Sequence, residues 1–252
     1  MAKMALGWPW SPPFVYTAFL DSILQLEHPC ETKWIRGGGW CNARRRISIC
    51  EQAIEWGADY ITMLDADQTY PPDILRKFLK HMEEGKDMVA AMVPQRGYTA
   101  GTGTKPFQRL AWKTEDNLTL IPVRVEDGEL QQIVLPTCAA ICFHTRDLRR
   151  LAKPWFVDNY DPLTLKRKFA EDLNFVLNMA KVGVEGWVDT TIEVKHLHLF
   201  QIDETFSERF ADWEQSGGDP AICRYEVIKH KWFPNRGKKI DSGNSPERWM
   251  GT

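Results

Sequence analysis

The feature that most constrains the fold is an apolar run, Tyr60–Leu64, that ends abruptly in Asp65-Ala66-Asp67. A short run that is apolar on both faces is typical of a central strand buried between two layers of helices. A helical pattern precedes it, with Asn42 as the expected N-cap and Gly57 as the expected residue after the last turn. A second helical pattern follows over residues 71–85. A strand set between two helices predicts an α/β fold.

The same alternation extends through the first two thirds of the chain. Strands are predicted at residues 4–8, 33–35, 88–93, 118–125, 132–143 and 184–199, and helices at residues 14–26 and 165–181. The periodicity weakens after Phe200. We therefore expect a core over residues 1–199 and a C-terminal extension over residues 200–252 that packs on it.

Composition restricts the class of protein. The net charge is -2, from 32 basic and 34 acidic residues, so no attraction of the whole surface to nucleic acid is expected. The six cysteines form no Cys-x-x-Cys pair, which favours buried free thiols and a cytoplasmic protein (host cytoplasm for a phage-encoded chain). No apolar stretch of about 18 residues occurs, so no membrane span is expected.

Asp65-Ala66-Asp67 is the first candidate for chemistry. Ligands of open α/β sheets bind outside the carboxyl ends of the strands, which is where this motif falls. Carboxylates at positions i and i+2 can share one hard divalent cation and leave coordination positions open for diphosphate oxygens. The alternative is a polar turn with two solvated aspartates.

Two further candidates lie late in the chain. Glu171-Asp172 opens a predicted helix, where acidic residues are favoured by the helix dipole alone, but Asp172 could equally be a general base for an acceptor hydroxyl. His196 and His198 share one face of the last predicted strand, so either could complete a metal site. The alternative for each histidine is a structural hydrogen bond.

Taken together and in this order, these features resemble the GT-A glycosyltransferase superfamily, particularly its small family-2-like bacterial and phage members. The stretches that carry the resemblance are Ala43-Arg44, Gly57-Ala58-Asp59-Tyr60, Leu64-Asp65-Ala66-Asp67, residues 137–143, Pro154-Trp155-Phe156, Glu171-Asp172-Leu173-Asn174-Phe175, Trp187-Val188-Asp189 and His196. It spans roughly residues 2–199. The resemblance implies a GT-A (Rossmann-like) fold: a mixed, mostly parallel sheet flanked by helices.

The resemblance also implies a function and a set of roles. The chain would be a metal-dependent hexosyl- or pentosyltransferase that moves a sugar from a nucleoside-diphosphate sugar to an acceptor hydroxyl. Asp67 would bind Mn²⁺ or Mg²⁺, and Asp65 would contact the nucleotide ribose or the metal's shell. Asp172 would be the base of an inverting reaction, with Glu171 as its neighbour. His196 best matches the late histidine that often joins the metal, and His198 keeps that choice open.

The nucleotide-base pocket of the family forms just after the first strand, where this chain has Trp8-Pro9-Trp10. One of these tryptophans would stack on the base, or both would pack beneath the loop. The diphosphate would be assisted by basic residues, each of which could instead be a solvated cation; the candidates are Arg44, Arg96, Arg236 and Lys238. Ala43-Arg44-Arg45 departs from the Ala-Arg-Asn common in the family.

The acceptor stays open among a saccharide, a protein, a lipid head group and a modified base of phage DNA. A nucleotidyltransferase using the same nucleotide and metal site, and a non-catalytic nucleotide-sugar-binding module, are the alternative functions.

Overall fold

The computed structural model describes residues 2–10, 15–94, 111–114 and 121–197. Its helices are α1 (Thr17–Leu24), α2 (Asn42–Trp56), α3 (Ile74–Glu83) and α4 (Glu171–Lys181). The strands are β1 (Lys3–Trp8), β2 (Glu31–Arg36), β3 (Tyr60–Leu64), β4 (Gln68–Thr69), β5 (Met88–Met92), β6 (Trp112–Lys113), β7 (Ile121–Pro122), β8 (Leu130–Ile133), β9 (Ala140–His144), β10 (Asn159–Tyr160), β11 (Arg167–Phe169), β12 (Gly186–Glu193) and β13 (Lys195–His196). Val125–Asp127 and Thr145–Arg150 are 3₁₀ helices. The predicted extension, residues 200–252, lies outside the described residues.

A seven-stranded sheet, in the order β2-β1-β3-β9-β5-β12-β8, forms the centre of the molecule. Five of its seven strands point the same way, and only β9 and β8 run against their neighbours. The mixed, mostly parallel sheet expected from the sequence is therefore confirmed. Antiparallel pairing of β3 with β9 sets Leu64 opposite Ala140, so the end of β3 adjoins the start of β9.

Helices cover both faces of this sheet. On one face α2 and α4 pack through Ile49, Cys50 and Phe175; on the other, α1 and α3 pack through Phe19 and Phe78. Each fully buried apolar side chain of this size stabilises the fold by about 1.5–3 kcal/mol. Burial from both sides explains why the β3 run is apolar without alternation.

The stretch before α4 differs from its prediction. The helix expected from residue 165 begins only at Glu171, and residues 159–169 contain the antiparallel pair β10–β11. The Asp161 carboxylate accepts hydrogen bonds from the backbone amides of Leu163 and Thr164, both at 2.9 Å, which stabilises a turn. Leu165 has a φ of 53°, a left-handed conformation that a helix cannot include.

The strand predicted over residues 132–143 is also wrong in its extent. It is two strands, β8 and β9, on different sides of β12 and β5 in the sheet. Pro136 lies between them and has no amide hydrogen to donate to a ladder. The strand predicted over residues 118–125 is described only from residue 121, where β7 is followed by a 3₁₀ helix.

Two details of the helices differ as well. The residue before α2 is Cys41, and Asn42 is its first helical residue, so Asn42 is not the N-cap. Gly57 does end α2 in the left-handed conformation expected of it, with a φ of 76°. The helix predicted over residues 14–26 is α1, Thr17–Leu24, in which Phe19 is buried and Leu24 is 78% exposed. Within the part of the chain that is described, no helix is long and apolar enough to cross a membrane.

Candidate active site

A buried arginine holds the first aspartate of the motif. Arg46, which is 3% exposed, places Nη2 2.9 Å from Asp65 Oδ1 and 3.2 Å from Oδ2. Its Nη1 donates to the carbonyl of Cys138 at 2.8 Å, and its Nε lies 3.6 Å from Glu171 Oε1. One guanidinium from α2 therefore joins the end of β3, the start of β9 and the start of α4.

The second aspartate lies against the predicted histidine. Strands β4 and β13 pair antiparallel, and the Leu197 amide donates to the Asp67 carbonyl at 2.8 Å. This pairing places His196 Nε2 3.3 Å from Asp67 Oδ2, while His196 Nδ1 lies 2.9 Å from the carbonyl oxygen of Pro94. Since a carbonyl can only accept, Nδ1 carries a proton. In the neutral ring, Nε2 then presents a lone pair towards Asp67.

The acidic pair on α4 reaches the same region. Glu171 is 9% exposed and Asp172 is half-buried. The Cys138 thiol donates to the Asp172 carbonyl oxygen at 3.7 Å, which ties the first turn of α4 to the segment before β9. The Asp172 carboxylate accepts the Leu173 amide at 2.7 Å. Its charge is close enough to act on both Asp65 and Arg46.

The electrostatics of the site are dominated by carboxylates. Burial raises the pKa of Asp65 to about 6; Arg46 opposes that rise, and the charges of Asp67, Asp172 and Glu171 add to it. Burial likewise raises the pKa of Glu171, again against the effect of Arg46. Three carboxylates, those of Asp65, Asp172 and Glu171, act on the one guanidinium, and Asp67 acts on Asp65. This is an excess of negative charge that a bound cation would relieve.

The aromatic stretch after β1 is packed rather than open. Trp8 makes edge-on contacts with Trp34 at 5.3 Å and Phe19 at 6.5 Å between ring centroids. Pro9 is buried. The ring of Trp10 is half-buried and lies 4.9 Å from the guanidinium of Arg36, a cation–π contact.

The remaining predicted residues are less close to the acidic group. Arg44 is exposed and lies 3.9 Å from Glu51, further along its own helix. Ala66 packs against the apolar cluster beneath the motif. Other predicted residues lie outside the described part of the chain: His198, Arg96, Arg236 and Lys238. Among the residues described, no three His, Cys, Asp or Glu side chains are grouped so as to hold a metal ion by themselves.

Comparison with known proteins bears on this geometry. Residues 53–144 match the family model described as Glycosyl transferase family 2. A197 from STIV, a solved structure, is 12% identical with a TM-score of 0.50, over 81% of this chain and 99% of that chain. A segment of this chain therefore matches family 2 glycosyltransferases, within a fold similar to that of A197. Residues 1–349 of S. aureus TarS are 12% identical with a TM-score of 0.47, over 94% of this chain and 76% of that chain. No curated protein matches.

The resemblance to family 2 glycosyltransferases is therefore confirmed over residues 53–144, and the mixed α/β fold is confirmed by the structure. The matched family 2 segment includes β3 and Asp65-Ala66-Asp67 but ends at the close of β9. Glu171, Asp172 and His196 lie beyond it, and it is the structure that brings them to the end of β3.

Sequence reasoning missed Arg46, although a signal was present. Arg46 precedes Ile49, Cys50 and Ala53 by three, four and seven positions, which places it on the buried stripe of α2. A charged residue at such a position needs a buried partner, because burying an unpaired charge is costly. Its neighbours differ from it, since Arg44 is exposed and Arg45 is half-buried.

Proposed function

We propose that this family-2-like glycosyltransferase is metal-dependent and transfers a sugar from a nucleoside-diphosphate sugar to an acceptor hydroxyl. The observation that carries the proposal is the pair of Asp67 and His196, 3.3 Å apart at the carboxyl end of β3. Asp172 belongs to the same acidic group. The family supplies the expectation of a nucleotide-sugar donor.

The residues present fit a divalent cation shared with substrate. Mg²⁺ and similar ions are usually bound by one or two protein side chains together with substrate phosphates, not by a complete protein cage. Asp67 and His196 supply two such ligands. The bond from His196 Nδ1 to the Pro94 carbonyl fixes the ring tautomer, as a backbone partner commonly does for a metal-binding histidine. A bound cation would supply positive charge to stabilise the departing diphosphate.

We assign two roles to Asp65: it orients the turn that carries Asp67, and it contacts the nucleotide of the donor. Both oxygens of its carboxylate accept from Nη2 of Arg46, and the Tyr70 hydroxyl donates to the Asp65 carbonyl oxygen at 2.7 Å. This rigid attachment fixes the turn from which Asp67 projects.

Trp10 is the tryptophan we assign to the nucleotide base, because Trp8 is already packed against Trp34 and Phe19.

Asp172 is the base that we assign to an inverting transfer. The bond from the anomeric carbon to the diphosphate oxygen breaks, and a bond from the acceptor oxygen to that carbon forms. The acceptor proton passes to Asp172. Glu171 is turned towards Arg46 and is the more buried of the two, which leaves Asp172 as the carboxylate accessible to an acceptor.

The experiment is to incubate the protein with Mn²⁺ and a panel of nucleoside-diphosphate sugars and to identify the released product. Free nucleoside diphosphate supports glycosyl transfer, and pyrophosphate would identify a nucleotidyltransferase. Asp172→Asn should keep donor binding and lose turnover by about 10²–10⁴-fold, the usual contribution of a general base. Asp158→Asn, at a carboxylate paired with Arg167, is the matched control and should stay active. Unchanged transfer by Asp172→Asn would contradict the assignment of the base.

A further inference from the structure

A cavity lies at the opposite end of β3 from Asp65. Its volume is about 370 Å³, and it is lined by the end of α2 and the turn that follows, the first residue of β3, the last residue of β9 and the 3₁₀ helix Thr145–Arg150. Tyr60 pairs with His144 in this ladder, and Leu64 pairs with Ala140. The five residue steps from Tyr60 to Asp65 separate the two ends by roughly 16 Å. The cavity is therefore distinct from the acidic group at Asp67.

Two buried polar side chains in its wall have unused hydrogen-bonding capacity. His144 and Thr145 are 8% and 6% exposed. His144 Nε2 and Thr145 Oγ1 have no hydrogen-bond partner within the described ranges. Nearly all buried polar groups in native proteins have a partner, so these two adjacent atoms mark the cavity wall as a place where a further polar partner, a water or a ligand group, is expected.

The rim of the cavity is cationic. Arg146 and Arg149 belong to the 3₁₀ helix Thr145–Arg150, in which side chains three apart lie on the same side. Both are exposed, and neither forms an ion pair with any residue that the structure describes. Their neighbour Arg150 differs, because it is 3.3 Å from Asp147.

The one carboxylate in the lining does not neutralise these arginines. Asp59 Oδ2 accepts the backbone amide of Lys3 at 2.9 Å, which turns it towards the start of β1. On the other side, the rings of Tyr60 and His144 lie 5.1 Å apart and form an aromatic wall. Burial, and then the nearby charge of Arg146, lower the pKa of His144. The positive charge of Arg146 therefore acts on the ring that lines the cavity.

We propose that this cavity binds a small oxyanion, a phosphate or carboxylate group, between the side chains of Arg146 and Arg149. The planar guanidinium matches both groups with two parallel hydrogen bonds, and two guanidiniums on one side of a helix form a clamp. Tyr60 and His144 supply an apolar wall for the molecule that carries the anion. The site is independent of the glycosyltransferase chemistry at Asp67.

The test is a titration of the ¹⁵N-labelled full chain with inorganic phosphate, and separately with acetate, followed by amide chemical shifts. Divalent cations are removed, and ionic strength is held constant with sodium chloride. Saturable shifts at the amides of Tyr60 and Thr145 are expected for at least one anion. Arg146→Gln and Arg149→Gln should each weaken the apparent affinity by about tenfold or more, the effect of losing a charge-assisted contact. Both arginines are exposed, so neither substitution removes buried packing.

The control is Arg124→Gln, which removes an equal charge from an exposed arginine before β8. Its affinity should stay within about twofold of the parent, because distant exposed charges are screened. An equal loss in Arg124→Gln would show general attraction and overturn the proposal. Shifts that fail to saturate with both anions, or that concentrate at the Asp65 and Asp67 amides, would overturn it as well.

Discussion

Replacing Arg46 with methionine removes the buried positive charge that contacts both Asp65 and Glu171. Methionine keeps the length and apolar character of the stem, so the change isolates the guanidinium and its hydrogen bonds. Removing one partner of a buried ion pair costs about 3–5 kcal/mol, because the remaining charge is left uncompensated. The Asp65 side chain is 23% exposed, so water offsets part of that cost and we expect about 3 kcal/mol. In a chain of this size that lowers Tm by roughly 6–12 °C.

The loss of stability in Arg46→Met should depend on pH, and the direction of that dependence follows from the pKa of Asp65. Its pKa of about 6 in the folded protein lies above its usual value, so the folded state binds the extra proton and stability falls as pH rises towards 6. Arg46 opposes that rise. Without it the pKa of Asp65 should increase further, and the penalty should extend to higher pH. The variant should therefore be less destabilised at pH 5 than at pH 8.

The assay is urea unfolding of Arg46→Met and the parent at pH 5 and pH 8. Arg44→Met is the matched control, since the Arg44 side chain is 53% exposed and only 3.9 Å from one exposed glutamate. It should cost less than about 0.5 kcal/mol at both values. The reasoning is refuted if Arg46→Met is as stable as Arg44→Met, or if its destabilisation is the same at pH 5 and pH 8.

Two further predictions concern other buried groups. Burial tends to raise the pKa of Asp189, but hydrogen bonds from His81, at 2.8 Å, and from Thr191 outweigh burial and lower the pKa. The stability that Asp189 contributes is therefore present above about pH 4 and is lost as pH falls through the lowered pKa. Asp189→Asn should therefore cost about 1–3 kcal/mol in urea unfolding at pH 7 and less at pH 3; equal costs would be inconsistent with the pair. Burial raises the pKa of the Cys142 thiol to about 12, so a thiol reagent should modify half-buried Cys41 in the folded protein and Cys142 only after unfolding. Rapid modification of Cys142 in the folded state, read by mass spectrometry, would count against its burial.

The strongest local patterns in the sequence predicted the elements that position the site. The β3 run, the apolar stripes of α2 and α3, and the rule that ligands bind at the carboxyl ends of strands together located Asp65-Ala66-Asp67. These are features of contiguous residues, so periodicity is enough to detect them. The GT-A resemblance added the expectation that His196 lies beside the motif. The contact between His196 and Asp67 is consistent with that expectation.

The elements that were predicted wrongly depend on contacts distant in sequence. Strand β9 is inserted antiparallel between β3 and β5, and no local pattern near residue 140 specifies those partners. Arg46 binds the carbonyl of Cys138, 92 positions away, so its burial depends on the position of β9. The turn at Asp161 did have a local signal, the Asp161-Pro162 pair, but the helical spacing of the apolar residues there concealed it.

The central claim is that Asp67 anchors a divalent cation and the donor diphosphate, and a thermal-shift measurement with nucleoside diphosphates tests it most directly. With Mn²⁺ and a ligand concentration about 100 times Kd, binding stabilises the folded chain by about 2.7 kcal/mol. That corresponds to a rise in Tm of roughly 5–11 °C. The account predicts this rise for at least one nucleoside diphosphate in the parent and in Asp158→Asn, and its loss in Asp67→Asn or without the metal. An equal rise in Asp67→Asn, or in the parent without a divalent cation, would contradict it.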